Sequence, residues 1–532
     1  MTLDLLLENA RVVDGTGAPW FRGSVGVADG TIEILSRRRE PGLAANEVVD
    51  LEDQVLSPGF VDPHSHSDLR VFADPVLTPK VRQGITTEVL GQDGFSMAPM
   101  YRDDGPAEWQ DHLRGLAGPF EGDWSWGSTE AYFDAIEAVR PGINLGMHVG
   151  HGTVRYNVMG MADRSPTDGE LTEMGDLVAE SLEAGALGLS TGLVYPPQVN
   201  ADTDELSALC DRLSPFGRPF VAHIRSEGHW LWTALDEFTD VGAAADVPLH
   251  LSHYKLAGTE QHGKAARANG LIEAARERGI DFTAEQYPYT AGNTVLSSVL
   301  PPWVFAEGQE QAMTYLADPE ARERMRRDIE EWRIDGWENA GARTGWDNIE
   351  VANIQSDSLS RFEGETVAAV ATARNVEPVE AVCDLLLEDG LTVSMISHSQ
   401  SIDDVRAIMA NERVAVCTDG LFGGKPHPRT YGTYPRILGT FVREDNHLTL
   451  ETAVRKMTSL PARQLGLDRK GVIRPGMDAD LVVFDPLTVS STATFDDPKQ
   501  FPRGIPHVIV DGTFVVRDGA LTGARPGSVV RA

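Results

Sequence analysis

Short apolar runs alternate with helix-length amphipathic segments through most of the chain. That alternation leaves few architectures open, because strand–helix–strand units set successive strands parallel and put the helices outside the sheet. The runs fall at 59–61, 87–90, 143–149, 186–189, 220–222, 248–252, 282–284, 393–396 and 414–417. Helix-length segments include 129–139, 168–184, 203–213 and 264–278, with Gly185 and Gly279 placed as C-terminal caps. A closed (β/α)8 TIM barrel takes eight strands, so one of the nine runs must lie elsewhere, and 393–396 is the one expected to do so. The acidic, Arg-rich helical stretch 303–346 reads as an insertion after a late strand.

The ends of the chain have a different texture. Residues 1–57 and 470–532 carry short β-rich segments at 5–13, 24–27, 480–485 and 507–516, broken by turns such as Asp29-Gly30 and Asp511-Gly512. Chain termini often lie close together. The expected architecture is therefore α/β: a barrel over 58–469 and a small β-sandwich built from both ends.

Among 532 residues the formal net charge is −34. Nucleic acids and anionic membranes select clustered Lys and Arg, so neither is an expected partner. Lys occurs only at 80, 255, 264, 425, 456, 470 and 499. Cys210, Cys383 and Cys417 show no CxxC spacing, which fits a reducing compartment. No apolar run of membrane-spanning length and no secretory leader pattern occurs, and the expected address is the cytoplasm.

The chemistry-bearing signal begins at Pro58-Gly59-Phe60-Val61-Asp62-Pro63-His64-Ser65-His66. Two His at i and i+2 beyond a strand point the same way, which is metal-ligand geometry. His223, His253 and Asp419 each follow another apolar run. In a barrel the strand C-termini converge on one face, where active sites form. Imidazole and carboxylate donors gathered there suit Zn²⁺ or a similar ion. His148, His151 and His398 also lie near run ends and are read as packing or orienting groups. Trp124-Ser125-Trp126 and Trp303 either pack or line a pocket mouth.

The order HxH, His, His, Asp resembles that of the amidohydrolase superfamily. The chain is more closely similar, over essentially its whole length, to the D-aminoacylases (N-acyl-D-amino-acid deacylases). The resemblance rests on Gly84-Ile85-Thr86-Thr87, Gly94-Phe95-Ser96-Met97-Ala98-Pro99, Gly150-His151-Gly152-Thr153 and the run from Gly188 to Pro197. It continues through His223-Ile224-Arg225-Ser226-Glu227-Gly228, Ser252-His253-Tyr254-Lys255, Gln286-Tyr287-Pro288-Tyr289, Thr418-Asp419-Gly420 and His427-Pro428-Arg429. It implies that His64, His66 and Asp419 hold one metal ion and His223 and His253 a second, with Asp419 also the general base. It further implies that Tyr195, Lys255, Tyr287 and Arg429 hold the carboxylate of a small N-acyl amino acid. Against that, Lys255 or Arg429 could instead pair with Glu227 or Glu285 of the protein itself.

The chain departs from the family at one place. D-aminoacylases usually carry a Cys ligand before the Gly-Phe-Ser stretch, and here Asp93 stands there. Other amidohydrolases bridge two metals with a carboxylated Lys on a middle strand, but no Lys lies between Val81 and Tyr254. Asp93 is either a carboxylate bridge or merely a turn residue in Gln92-Asp93-Gly94. Hard oxygen in place of sulfur loosens the preference for Zn²⁺ and admits Mn²⁺ or Co²⁺.

The expected activity is metal-dependent hydrolysis of N-acyl-D-amino acids, with one or two ions bound. Two alternatives stand beside it: a cyclic-amide hydrolase of the dihydroorotase or hydantoinase kind, and a non-catalytic barrel scaffold. The missing middle-strand Lys counts against the first, and the complete ligand set against the second. The Asp93 reading has a direct check. Metal analysis of Asp93→Ala is expected to show lowered metal content, whereas Asp93→Cys keeps at least one tightly held Zn²⁺; unchanged stoichiometry in Asp93→Ala would contradict it.

Overall fold

The computed structural model describes residues 2–37, 44–102, 105–118, 120–122, 124 and 126–532. Ser125, between the two tryptophans, lies outside the described residues. Eight parallel strands among the described residues form the barrel: β1 Phe60–Asp62, β2 Ile85–Leu90, β3 Asn144–Met147, β4 Leu189–Gly192, β5 Phe220–His223, β6 Leu249–Leu251, β7 Phe282–Gln286 and β8 Val414–Val416. Neighbours pair in chain order, the short strand Val149–Gly150 carrying β3 onto β4. The ring closes where β8 meets β1: Ser65 bridges Gly420, and the Asp419 amide donates to the His64 carbonyl at 2.9 Å. The strands are buried on both faces, which is why they read as continuous apolar runs with no alternation.

Helices cover the outside. Helix Thr129–Val139 starts where Ser128 accepts from the Ala131 amide, and helix Asp168–Glu183 starts on a capping box of Thr167 and Glu170. Met174, Val178 and Leu182 of the second helix pack with β4 residue Leu189 in one buried cluster. Among the described residues, no helix is long and apolar enough to cross a membrane.

Both ends of the chain share one nine-stranded sheet. Leu481–Phe484 pairs antiparallel with Val55–Pro58, so the last tenth of the chain docks against the segment that leads into β1. The sheet branches at Leu3–Val12, whose first half pairs with Ala45–Asp50 and whose last residues pair with Val55–Pro58. Leu5, Val25, Leu56, Leu481, Val483 and Ile509 form its buried core.

The ninth apolar run lies outside the barrel. Ser394–His398 is the centre of a separate antiparallel sheet, flanked by Ala291–Val295 and Ile349–Asn353. The stretch 303–346 is thus the middle of a longer excursion between β7 and β8, from Ala291 to His398. Composition singled out only its Arg-rich helices, because its apolar strand residues are as buried as those of the barrel. The excursion has its own core around Leu316, Met325, Val351 and Leu385. It is pinned to the barrel mouth by Glu338, which accepts from the Ser226 hydroxyl and from the Glu227 and Gly228 amides.

Closure of the ring relies on a buried cation. Lys80 Nζ ion-pairs with Asp62 at 3.0 Å and Glu88 at 2.7 Å and donates to Ser65 and Thr418 hydroxyls at 2.9 and 2.8 Å. Asp62 in turn accepts from the Thr418 amide and hydroxyl, so β1, β2 and β8 meet at one fully buried ammonium. Removing it strands two carboxylates without water, a change that typically costs about 3–5 kcal/mol. Lys80→Met is therefore expected to move barrel unfolding to markedly lower urea concentration; an unchanged midpoint would contradict this role.

Candidate metal centre at the barrel mouth

Each residue singled out at a run end sits just beyond a barrel strand. His64 and His66 follow β1, Asp93 follows β2, His223 ends β5, His253 follows β6 and Asp419 follows β8. Three of these six, Asp93, His253 and Asp419, have left-handed backbone, with φ of 54°, 33° and 48°. Non-glycine residues seldom adopt that conformation, and where they do it is enriched at functional sites. At Asp93 the turn is held by Gln198, whose Nε2 donates to the Asp93 carbonyl at 2.7 Å. A Cβ on the next residue, Gly94, would collide with Gln198 Oε1. The turn and ligand readings of Asp93 are therefore compatible: the turn aims the carboxylate inward.

The side chains form two groups. Ligand atoms of His64, His66, Asp93 and Asp419 all lie within 4.8 Å of one another, as do those of Asp93, His223 and His253. Asp93 belongs to both. Its Oδ1 is 3.7 Å from His64 Nε2, 3.3 Å from His253 Nε2 and 3.8 Å from His223 Nδ1, and its Oδ2 is 3.6 Å from His66 Nε2. Asp419 Oδ1 lies 3.6 Å from His64 Nε2 and 3.3 Å from His66 Nε2.

The residues fit a metal centre. His64 Nε2, His66 Nε2, His223 Nδ1 and Asp93 Oδ1 are buried without a hydrogen-bond partner, although buried polar atoms are nearly always paired. They face one another across the spacing that an ion coordinated at about 2.0–2.2 Å would span. The far side of the His64 ring is held as metal-binding imidazoles are held, with Nδ1 2.6 Å from Glu285 Oε1. Glu285 is itself supported by His250 at 2.9 Å. Burial pushes the Glu285 carboxyl up, but His64 and His250 outweigh it and bring it to about 2.

Charge makes the same case. Asp93, Glu227, Glu285, Glu338 and Asp419 face Lys255, Arg343 and Arg429 as permanent cations, leaving two negative charges uncompensated among these residues of the site. Burial opposes a proton on His64, yet Asp93, Glu285 and Asp419 raise its pKa well above the ordinary value. The site calls for positive charge, which a divalent ion supplies. Burial also works against the Asp419 charge, but Arg429, His64 and His253 hold its carboxyl well below the usual range.

The four residues expected to hold substrate are brought to the same place, already engaged. Lys255 Nζ is 2.6 Å from Glu227 Oε1 and 2.7 Å from His253 Nδ1. Arg429 Nη1 is 2.9 Å from Asp419 Oδ2, and its Nη2 donates to the Asn293 carbonyl at 3.0 Å. Pairing with Glu227 is thus present for Lys255, while Glu285 serves His64 and His250 instead. Tyr287 lies under the Arg429 guanidinium, 4.5 Å from its ring centre. The Tyr195 hydroxyl pairs with Thr294 at 2.7 Å, and its ring stands edge-on to His223. Lys255, Arg429 and Tyr195 line a cavity of about 660 Å³ that also exposes His66, Asp93, His223, His253 and Asp419.

The remaining candidates fall outside this cavity. His148 is buried and held neutral by burial, at about 3. His151 bonds Thr191 and Glu205, and His398 bonds Glu350 in the excursion. Trp126 stacks on Phe72 with Trp124 against it, and Trp303 donates to Asp328. Sequence reasoning missed Arg343, which lines the site cavity paired with Glu338 and lies in the excursion, where no strand pattern marks it.

The amidohydrolase family model matches residues 47–516. The chain is 34% identical to a D-aminoacylase of Alcaligenes xylosoxydans xylosoxydans, over 99% of this chain and 97% of that protein. It is 33% identical to an N-acyl-D-glutamate deacylase of the same organism, over 99% and 96%. The crystal structure of N-acyl-D-glutamate deacylase from Bordetella bronchiseptica, complexed with zinc and a phosphonate inhibitor, superposes with a TM-score of 0.85, 32% identity and full coverage of both chains. With its barrel, its added β domain and its sequence matched along nearly the whole length, this chain belongs to the amidohydrolase family.

Proposed function

We propose that the chain is a metal-dependent N-acyl-D-amino-acid deacylase, cleaving a linear amide to a carboxylate and a free D-amino acid. The observation that carries this reading is Asp93, common to two groups of imidazoles beside Lys255 and Arg429. His64, His66, Asp93 and Asp419 would hold one ion, and Asp93, His223 and His253 a second. Zn²⁺ suits these donors, with Mn²⁺ or Co²⁺ admitted by the oxygen-rich set. A bound divalent ion acidifies water and polarises a carbonyl. We assign residues 1–57 and 470–532 to the β domain, residues 58–469 to the catalytic barrel, and the protein to the cytoplasm.

Asp419 is the base. It takes a proton from the attacking water as oxygen adds to the amide carbon. It then delivers that proton to the amide nitrogen as the C–N bond breaks, so the amine leaves neutral. The neighbouring Arg429 keeps Asp419 ionised. Lys255 and Arg429, over the face of Tyr287, draw in the substrate carboxylate together with Tyr195, whose ring stands edge-on to His223. Fixing the amide at one point and the carboxylate at another leaves room for the side chain of one enantiomer.

Asp419→Asn keeps the size of the side chain but cannot accept the proton. It is expected to retain metal and lose about 10²–10⁴-fold in kcat; near-normal turnover in a metal-replete variant would refute the assignment. N-acetyl-D-amino acids are expected to be cleaved in preference to their L forms. Methyl esters, which lack the carboxylate, are expected to fall about ten- to a hundredfold in kcat/KM, the scale of one charged hydrogen bond. Equal rates for both enantiomers would remove the D-acylase reading, and equal rates for acid and ester would remove the carboxylate clamp.

A further inference from the structure

Three polar side chains form a line through the barrel interior to His64. Successive side chains of a strand point to opposite faces. Leu249 and Leu251 of β6, with Phe282 and Ala284 of β7, pack in one apolar cluster with Phe238 and Ile272 of the covering helices. The residues between them, His250, Thr283 and Glu285, therefore point into the barrel. His250 and Thr283 are register partners across the two strands. All three are buried, and none lines the site cavity.

The Thr283 hydroxyl donates to the Leu249 carbonyl at 3.0 Å and lies 2.9 Å from His250 Nδ1. His250 Nε2 is 2.9 Å from Glu285 Oε2, and Glu285 Oε1 is 2.6 Å from His64 Nδ1. Each oxygen of Glu285 thus meets a different imidazole. A carboxylate tied at one oxygen can still turn, because its terminal torsion is broad. Tied at both, its plane is set. The His64 ring is oriented by that plane, and its Nε2 has no hydrogen-bond partner among the described residues and faces the other candidate ligands. We propose that His250 is a positioning residue of the metal centre: by holding Glu285 Oε2 it fixes the direction in which His64 presents Nε2 to an ion.

This rests on the metal-dependent reading above and extends it from the ligands to a residue two contacts behind them. A working site holds its groups to within about 0.5 Å and 10–20°, so a turn of Glu285 is felt at His64. Glu285 is fully buried, and water does not reach it to replace His250. A residue that only fills space there needs a ring of the right size. A positioning residue needs the nitrogen that faces Glu285.

The test measures Zn²⁺ affinity by competition against a chromophoric chelator, with the urea midpoint of the metal-free protein as the control for folding. His250→Phe keeps a ring and removes both nitrogens. It is expected to bind Zn²⁺ about tenfold more weakly, the lower end of what the partners of metal ligands contribute. His250→Gln returns an N–H near the place of Nε2 and is expected to recover most of that affinity, even if its urea midpoint falls as far as that of His250→Phe. At saturating metal, His250→Phe is expected to lower kcat for an N-acetyl-D-amino acid with little change in KM, because Lys255 and Arg429 are untouched. Native Zn²⁺ affinity in His250→Phe would overturn the proposal. So would equal losses in the Phe and Gln variants, which would reduce His250 to packing. Should His250→Phe not fold, Thr283→Val decides, since it keeps the side-chain shape and frees the far nitrogen of the His250 ring. Weaker Zn²⁺ binding is expected there, and unchanged binding would overturn the proposal. The affinity measurements use no substrate, so failure of the native protein to cleave any N-acyl-D-amino acid would overturn the deacylase reading and leave the Zn²⁺ result to stand or fall by itself.

Discussion

Five carboxylates and four imidazoles crowd the mouth of this barrel, and three permanent cations stand among them. In water such a cluster would disperse. Here it cannot, because its His, Asp93, Glu227, Glu285 and Asp419 members are fixed at or just beyond the ends of six barrel strands and buried. Buried charge must be paired, or the group gives it up. Glu285 pairs with His64 and His250, Glu227 with Lys255, and Asp419 with Arg429. Asp93 alone has only imidazole nitrogens about it, from both groups. Its charge is the one that ions in the two groups would share, and the organisation of the site follows from that.

The scaffold serves this arrangement at two points. Lys80 ties β1 and β2 to Thr418, the residue before Asp419, so the HxH pair and Asp419 are set by the same buried network. The excursion between β7 and β8 supplies Asn293, Thr294, Glu338 and Arg343 to the rim of the site. Its docking through Glu338 onto the loop after β5 places an independently packed unit beside the candidate ligands of β5 and β6. Exclusion of water there strengthens every charge interaction inside.

The barrel was legible because its strands are buried on both faces and its helices amphipathic, giving a periodicity that survives without tertiary information. The candidate ligands were legible because they follow apolar runs closely. Asp93 stood out by occupying a family Cys position, although a left-handed Asp before Gly looks the same in any turn. The extent of the excursion was not legible: Val351 and Met395 are buried as barrel residues are, and nothing local distinguishes antiparallel from parallel pairing. Nor was the engagement of Lys255 with Glu227, or of Glu285 with His64, since both depend on which loops meet across the ring. Arg343 lay hidden among the many arginines of an acidic insertion.

The account turns on Asp93 joining two ions, and electron paramagnetic resonance of the Mn²⁺-loaded protein tests that most directly. Two Mn²⁺ ions sharing the Asp93 carboxylate couple magnetically, so the account predicts a broad multiline exchange-coupled spectrum at full loading. A simple six-line spectrum of isolated Mn²⁺ at every loading would contradict it.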